Sequence, residues 1–433
     1  MKRVLVPILA ACLLVSSNAF AAVSQEEIQE LREQLALLSQ RLEELAAENA
    51  DLRRAQDESA SAIADVQSTV TEVAAATTPA GSATWPDRIS LDGDFRYRYE
   101  RIDAEDSDTR RRNRIRARVN VKADLSDDVE VGFGLATGGD DPVSTNQTLG
   151  GGGSSKDVSL NLAYADWEAM DGMHLIFGKY KNPIYRPGKQ PLLWDGDWTP
   201  EGFAFTWERD RYFVNAIGTF LESDSRRGND SFTWGAQFGA TGELAGARVT
   251  GGLAYYSIKT QGNSTTFGDP SDPGDYFGNT AVQADGQPCG SVAGERCFYL
   301  YDYLLTQVFA EAAFDLGGWP TTVFFDYVNN GDAADDDTGW TLGGQLGAAK
   351  GRGQFQFTYY YAEKQADALL GLLTDSDFAG GGSDNRGHFL QVDYGVSKNW
   401  TIGAQYFINE TDVSSGNKRD YNRLMLDAQW KWK

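Results

Sequence analysis

Two hydrophobic periods divide the chain. Between residues 28 and 73, apolar positions alternate steps of three and four: Ile28, Leu31, Leu35, Leu38, Leu42, Leu45 and Leu52, with Asn49 in the same frame, continuing through Ile63, Val66, Val70 and Val73. A stripe that holds a seven-residue repeat without drifting toward 3.6 is a coiled-coil seam, whereas a helix packed on a globular core shows a wider stripe. Ile28 to Leu52 are therefore the expected coiled-coil core. Asn49 falls at an a position, where a polar side chain fixes register at some cost in stability. Leu at both a and d selects no oligomer cleanly; a trimer is compatible with it.

After Val73 the text becomes AAATTPAGSATWP, a small-residue linker closed by Pro86. From Ile89 onward the period is two. Sixteen runs of alternating polarity, rich in aromatic and β-branched residues, extend from 89–101 to 420–432. Short turns such as LSDD (125–128) and GGWP (317–320) alternate with long polar connections such as 138–156, 182–201, 261–302 and 367–385. A soluble sandwich or propeller has no reason to gather its long loops at one end. An outer-membrane barrel does, and its sheet must close because an open edge cannot sit in lipid. The predicted fold is an all-β transmembrane barrel of about 16 antiparallel strands, preceded by an α-helical coiled coil.

Parity assigns the faces. In TRRRNRIRARVNVK (109–122), Ile115, Ala117, Val119 and Val121 share one face, and Arg112, Arg114, Arg116 and Arg118 the other. The preceding run sets Leu91, Phe95, Tyr97 and Tyr99 against Asp92, Asp94, Arg96, Arg98 and Glu100. Near the bilayer midplane an outward arginine costs ~2–4 kcal/mol, so the arginines are expected to line the water pathway. There they draw anions, or pair with Asp92, Asp94 and Glu100 and brace the wall. Nucleic-acid binding does not suit a chain of net charge −23, since that affinity comes from neutralised phosphates.

The N-terminus predicts the compartment. Lys2 and Arg3 precede an apolar run over 4–15, and Ala19-Phe20-Ala21 suits signal peptidase, so 1–21 is read as a secretory signal. The run is too short to span a bilayer. Leu9-Ala10-Ala11-Cys12 loosely resembles a lipoprotein box but lies very early. The expected organisation is signal peptide 1–21, periplasmic coiled coil 22–75, linker 76–87 and barrel 88–433.

Cys289 and Cys297, in the longest loop, are most simply a disulfide in an oxidising compartment. The acidic runs 269–275 and 332–337 could bind divalent ions that bridge lipopolysaccharide, but they lack a calcium-loop pattern and read more simply as solvated loops. Neither His174 nor His388 lies near a nucleophile motif, and no phosphate-binding, dinucleotide or zinc fingerprint is present. No catalytic residue, metal or cofactor is expected.

VGFGLATGGDDPVSTNQTLGGG (131–152) and FGKYKNPIYRPGKQPLLWDGDWTPEGFAF (177–205) resemble the putative-porin family of Gram-negative outer membranes, from about residue 88 onward. The resemblance implies a sixteen-strand barrel, a homotrimer, and diffusion of small hydrophilic solutes and ions. General porins oppose a wall arginine cluster to acids on a constricting third loop. Carried over, the pore wall falls on Arg96, Arg98, Arg112, Arg114, Arg116 and Arg118, and the constriction on Lys189, Asp195, Asp197 and Glu201. Porins usually end on an aromatic residue, whereas here Lys433 follows Trp432. Alternatives are an anion- or phosphate-preferring channel, and an anchor whose coiled coil, roughly 75 Å long at 1.5 Å per residue, reaches the cell wall. Membrane lipid and lipopolysaccharide are the remaining expected partners.

Overall fold

The computed structural model describes residues 85–190, 192–223 and 230–433. The expected signal peptide, the coiled-coil core from Ile28 to Leu52 and residues 76–84 of the linker lie outside the described residues.

Sixteen antiparallel strands form the wall: β1 (Ile89–Ala104), β2 (Arg110–Asp124), β3 (Val129–Thr137), β4 (Val158–Met170), β5 (Met173–Lys179), β6 (Glu201–Arg209), β7 (Tyr212–Glu222), β8 (Ser231–Leu244), β9 (Ala247–Ile258), β10 (Tyr303–Leu316), β11 (Trp319–Asn330), β12 (Thr338–Gly347), β13 (Phe355–Lys364), β14 (Asn385–Ser397), β15 (Trp400–Thr411) and β16 (Arg419–Trp432). Each pairs with its neighbour in sequence, and β16 pairs back onto β1 from Gly93↔Trp432 to Ala104↔Tyr421, which closes the barrel. Closure gives every edge strand a partner, as lipid requires. The pair Gln147–Thr148 adds to β2 beyond the end of the short β3. All the long connections leave from one end.

Alternation places the side chains as parity requires. Val119, Leu253, Leu342, Phe357 and Leu426 face outward and are exposed, while Asp94, Arg98, Glu100, Arg116 and Arg423 face inward and are buried. Val119→Arg would put a guanidinium on the lipid face near the middle of β2, and should cost about 2–4 kcal/mol. Unfolding in lipid vesicles measures this; unchanged stability would contradict the outward assignment.

The lumen departs from the expected polar lining. Tyr256, Phe309, Phe324, Tyr360, Phe389 and Phe407 also point inward, and all are buried. They are covered because three connections fold into or over the barrel. Ile184, Leu192, Leu193, Trp194 and Trp198 of the β5–β6 loop share one apolar core with Leu369, Leu370, Leu372 and Leu373 of the β13–β14 loop and with Tyr276 and Tyr299 of the β9–β10 loop. Reading 261–302 and 367–385 as polar connections is thus corrected. The stretch ALLGLL (368–373) carries too much apolar surface to face water and drives its loop inward.

The β9–β10 loop fastens this core. Cys289 and Cys297 are joined by a disulfide, with Cα atoms 5.5 Å apart, beside a small hairpin of Ala281–Gln283 with Cys297–Tyr299. Asn279 Nδ2 donates to the Ala366 and Leu369 carbonyls at 2.7 and 2.8 Å, while its Oδ1 accepts from the Gly371 amide at 2.8 Å. One side chain therefore serves the backbone of a loop about ninety positions away.

Candidate functional site

The inward faces of β16, β1 and β2 form a charged wall. In the β1–β2 register Asp94 stands opposite Arg118, Arg96 opposite Arg116, Arg98 opposite Arg114 and Glu100 opposite Arg112. Two of these four rungs pair arginine with arginine, which is destabilising unless acids arrive from elsewhere. They arrive from β16 and from two loops.

On the turn side, Asp94 accepts from Arg116 at 2.9 Å and Arg118 at 2.6 Å. Asp197, from the β5–β6 loop, lies 2.9 Å from Arg118 and 3.4 Å from Arg116. Nearer the loop end, Arg98 is bidentate to Asp427 of β16 at 2.7 and 2.8 Å and reaches Asp377 of the β13–β14 loop at 2.8 Å. Arg423 meets the other Asp377 oxygen at 2.7 Å and also contacts Glu100, which Arg112 contacts in turn. Six guanidinium groups (Arg96, Arg98, Arg112, Arg116, Arg118, Arg423) thus share five carboxylates (Asp94, Glu100, Asp197, Asp377, Asp427), and a seventh, Arg114, donates to Ser144 Oγ at 3.3 Å.

The β5–β6 loop crosses the lumen to reach this wall. Its tip is clamped on the far side: the Gly188 amide donates to Glu311 at 2.6 Å, the Gly188 carbonyl accepts from Gln345 at 2.9 Å, and Tyr185 exchanges two hydrogen bonds with Gln237. Gly188 has φ +59° and lies against the Phe324 ring, where a Cβ would collide. The returning strand carries Asp197 to the arginines and bonds the second loop, Asp195 N–H donating to the Leu373 carbonyl at 2.8 Å.

Of the acids expected on the constriction, only Asp197 meets the wall. Asp195 turns back, accepting from the amides of Asp197 at 2.7 Å and Ser376 at 3.1 Å. Burial pushes its carboxyl well above the usual range, reinforced by the charges of Asp375 and Asp197. Glu201 opens β6 on the face shared with Phe203, outside the barrel, and pairs with Lys179 at 2.7 Å. Lys189 follows Gly188 at the loop tip, exposed and on the side opposite the arginines. Burial opposes ionisation of Asp377, yet Arg423 and Arg98 hold it below the usual carboxylate range; burial and Asp377 push neighbouring Asp375 up to about 6. Sequence reading missed Asp377; its one signal is the apolar run just before it.

A polar cavity of about 850 Å³ opens beneath the crossing loop at the turn end, bounded by Arg118, Asp197, Lys181, Arg186, Lys398 and Lys431. Lys181, Lys398 and Lys431 have no ion-pair partner among the described residues. Of the four lining acids, Asp94 and Asp197 are taken up by arginines, Asp195 accepts from backbone amides, and Asp92 accepts from Asn120 at 2.8 Å. The local balance is therefore cationic although the chain is strongly acidic. Among the described residues no cluster of three or more His, Cys, Asp or Glu side chains could hold a metal ion.

The fold is similar to that of Pseudomonas putida OprB, with a TM-score of 0.53 at 12% identity over 79% of this chain and 94% of that one. The trimer form of OmpT from Vibrio cholerae aligns with a TM-score of 0.47 at 14% identity, over 80% and 100% of the two chains. A porin mutant from Rh. blastica aligns with a TM-score of 0.44 at 12% identity, over 79% and 100%. No curated protein matches the sequence. The family model described as "Putative porin" matches residues 102–280 and 301–431, well over half of the chain. With this match over a closed sixteen-strand barrel, the chain belongs to the putative-porin family and is an outer-membrane porin.

Proposed function

We propose that the protein passes small hydrophilic solutes and ions by passive diffusion along the wall formed by β16, β1 and β2. The observation that carries this is the placement of polar space. Apolar cores fill the lumen from Ala204 of β6 round to Met425 of β16, while the cavity of about 850 Å³ lies against the turn-side end of the charged wall, at Asp94, Arg118 and Asn120. Arg96, Arg98, Arg112, Arg114, Arg116 and Arg118 form the pore wall, and Asp197 opposes them from the crossing loop. Reconstitution into a planar bilayer tests the proposal: steady conductance steps are expected, and no conductance from correctly folded protein would sink it.

A second reading, preference for anions, is favoured by the excess of guanidinium groups over carboxylates on the wall and by the free lysines below it. Charge lining a narrow path selects the opposite sign. The barrel is further read as one subunit of a homotrimer, with lipid on its outer face and lipopolysaccharide at the loop end, on the strength of the heptad at 28–73. Chemical cross-linking of detergent-extracted protein should give a three-subunit species, lost on deletion of 22–75. A monomer only, or a trimer unaffected by the deletion, would contradict the heptad's part.

A further inference from the structure

The wall of β16, β1 and β2 is open at one end and covered at the other. Its turn-side end borders the cavity of about 850 Å³ at Asp94, Arg118 and Asn120. Nearer the loop end, the side chains of Arg98 and Arg423 are each 2% exposed and that of Glu100 is 0% exposed. Residues 374–379 (TDSDFA) of the β13–β14 loop lie across them. Asp377 meets Arg98 and Arg423, Ser376 Oγ donates to the Val143 carbonyl at 3.1 Å, and the Ala379 amide donates to Asn409 Oδ1 at 2.9 Å. Phe378 and Ala379 sit among Tyr360, Phe389, Phe407 and Met425. The cover is therefore fastened on both sides of the wall, to the β3–β4 connection and to β15.

Its shape is that of a lobe on a closed neck. Thr374, fully buried, donates from Oγ1 to the Gly382 carbonyl at 3.1 Å, so the residues flanking 375–381 are bonded to each other. The chain behind the neck is held separately. Asn385 Nδ2 donates to the same Gly382 carbonyl at 2.9 Å, the Ser383 amide donates to the Phe277 carbonyl at 2.8 Å, and Asn279 holds the side that leads in. A lobe with joined ends can leave its seat while its base stays folded. Gly380 and Gly381, at φ +86° and +106°, supply the joint, because glycine adopts such angles without steric cost. The contacts at the tip are made with polar groups of the lumen, which water can serve in exchange. We infer that residues 375–381 are a lid on the loop-side half of the arginine wall, and that solute passes only when the lobe lifts from Arg98 and Arg423. This rests on the reading of the wall as the solute path.

Thiol labelling in a planar bilayer tests the lid. Ala379 is 6% exposed in its seat, and Cys289 and Cys297 are joined to each other. In Ala379→Cys, an uncharged hydrophilic maleimide reaches the introduced thiol only when the lobe is up, and the adduct then bars its return. Labelling of the conducting channel is expected, with the mean current per channel raised about twofold or more. A conducting channel whose thiol stays unlabelled, or whose current the label leaves unchanged, would overturn the lid and leave the path standing. If that variant lacks the heat-modifiable migration of a folded barrel, excision of 375–381, with a short glycine linker from Thr374 to Gly382, replaces it. Larger steps than those of the wild type are then expected, and equal steps would overturn the lid. No current from the folded wild type or from the folded excision variant would overturn the path itself.

Discussion

Asp377→Ala is expected to loosen the pore more than any other single lumenal change. Asp377 is the common partner of Arg98 and Arg423, whose side chains are each 2% exposed. Removing it leaves two buried cations short of a carboxylate and facing each other across Glu100 and Asp427. Breaking a buried ion pair from one side costs about 3–5 kcal/mol. The β13–β14 loop also loses its two carboxylate links to the wall and keeps there the bonds from Arg423 to the Ser376 and Asp377 carbonyls at 3.2 and 3.1 Å. Two results are expected together: a lower temperature for loss of the folded band on electrophoresis, and larger, noisier conductance steps. A variant with wild-type melting and wild-type steps would show that the apolar core alone keeps the loop in place.

Replacing Arg112, Arg114 and Arg116 together by Gln is expected to reverse ion preference. Seven wall guanidiniums against five carboxylates become four against five, so the sign of the local charge changes while the apolar cores and the Asp377 attachment remain. In a medium of low effective dielectric such a change is screened far less than on an open surface. The zero-current potential in a KCl gradient should move toward cations and cross zero. An unchanged potential would mean that the arginines brace the wall and do not act on the traffic.

The barrel itself was legible because a half-buried strand must alternate. The expected first and last runs, 89–101 and 420–432, fall on β1 (Ile89–Ala104) and β16 (Arg419–Trp432), and the same period sent the arginines inward. What did not follow from local pattern was how the loops use the lumen. Asp195 and Asp197 look equivalent in WDGDW, yet the Asp197 amide bonds the Asp195 carboxylate at 2.7 Å and folds it away from the wall. Glu201 looked like a loop acid, but β6 begins there, which fixes its face to that of Phe203. Asp377 meets Arg98 across 279 positions of sequence, and no periodicity encodes a contact of that range. Its loop did carry a sign of burial in Leu369, Leu370, Leu372 and Leu373, apolar residues with no strand to belong to.

The solute path along the arginine wall is tested most directly by the zero-current potential of the unmodified protein in a planar bilayer under a KCl gradient. A potential on the anion side is expected. A potential on the cation side, or the absence of any conductance from folded protein, would contradict it.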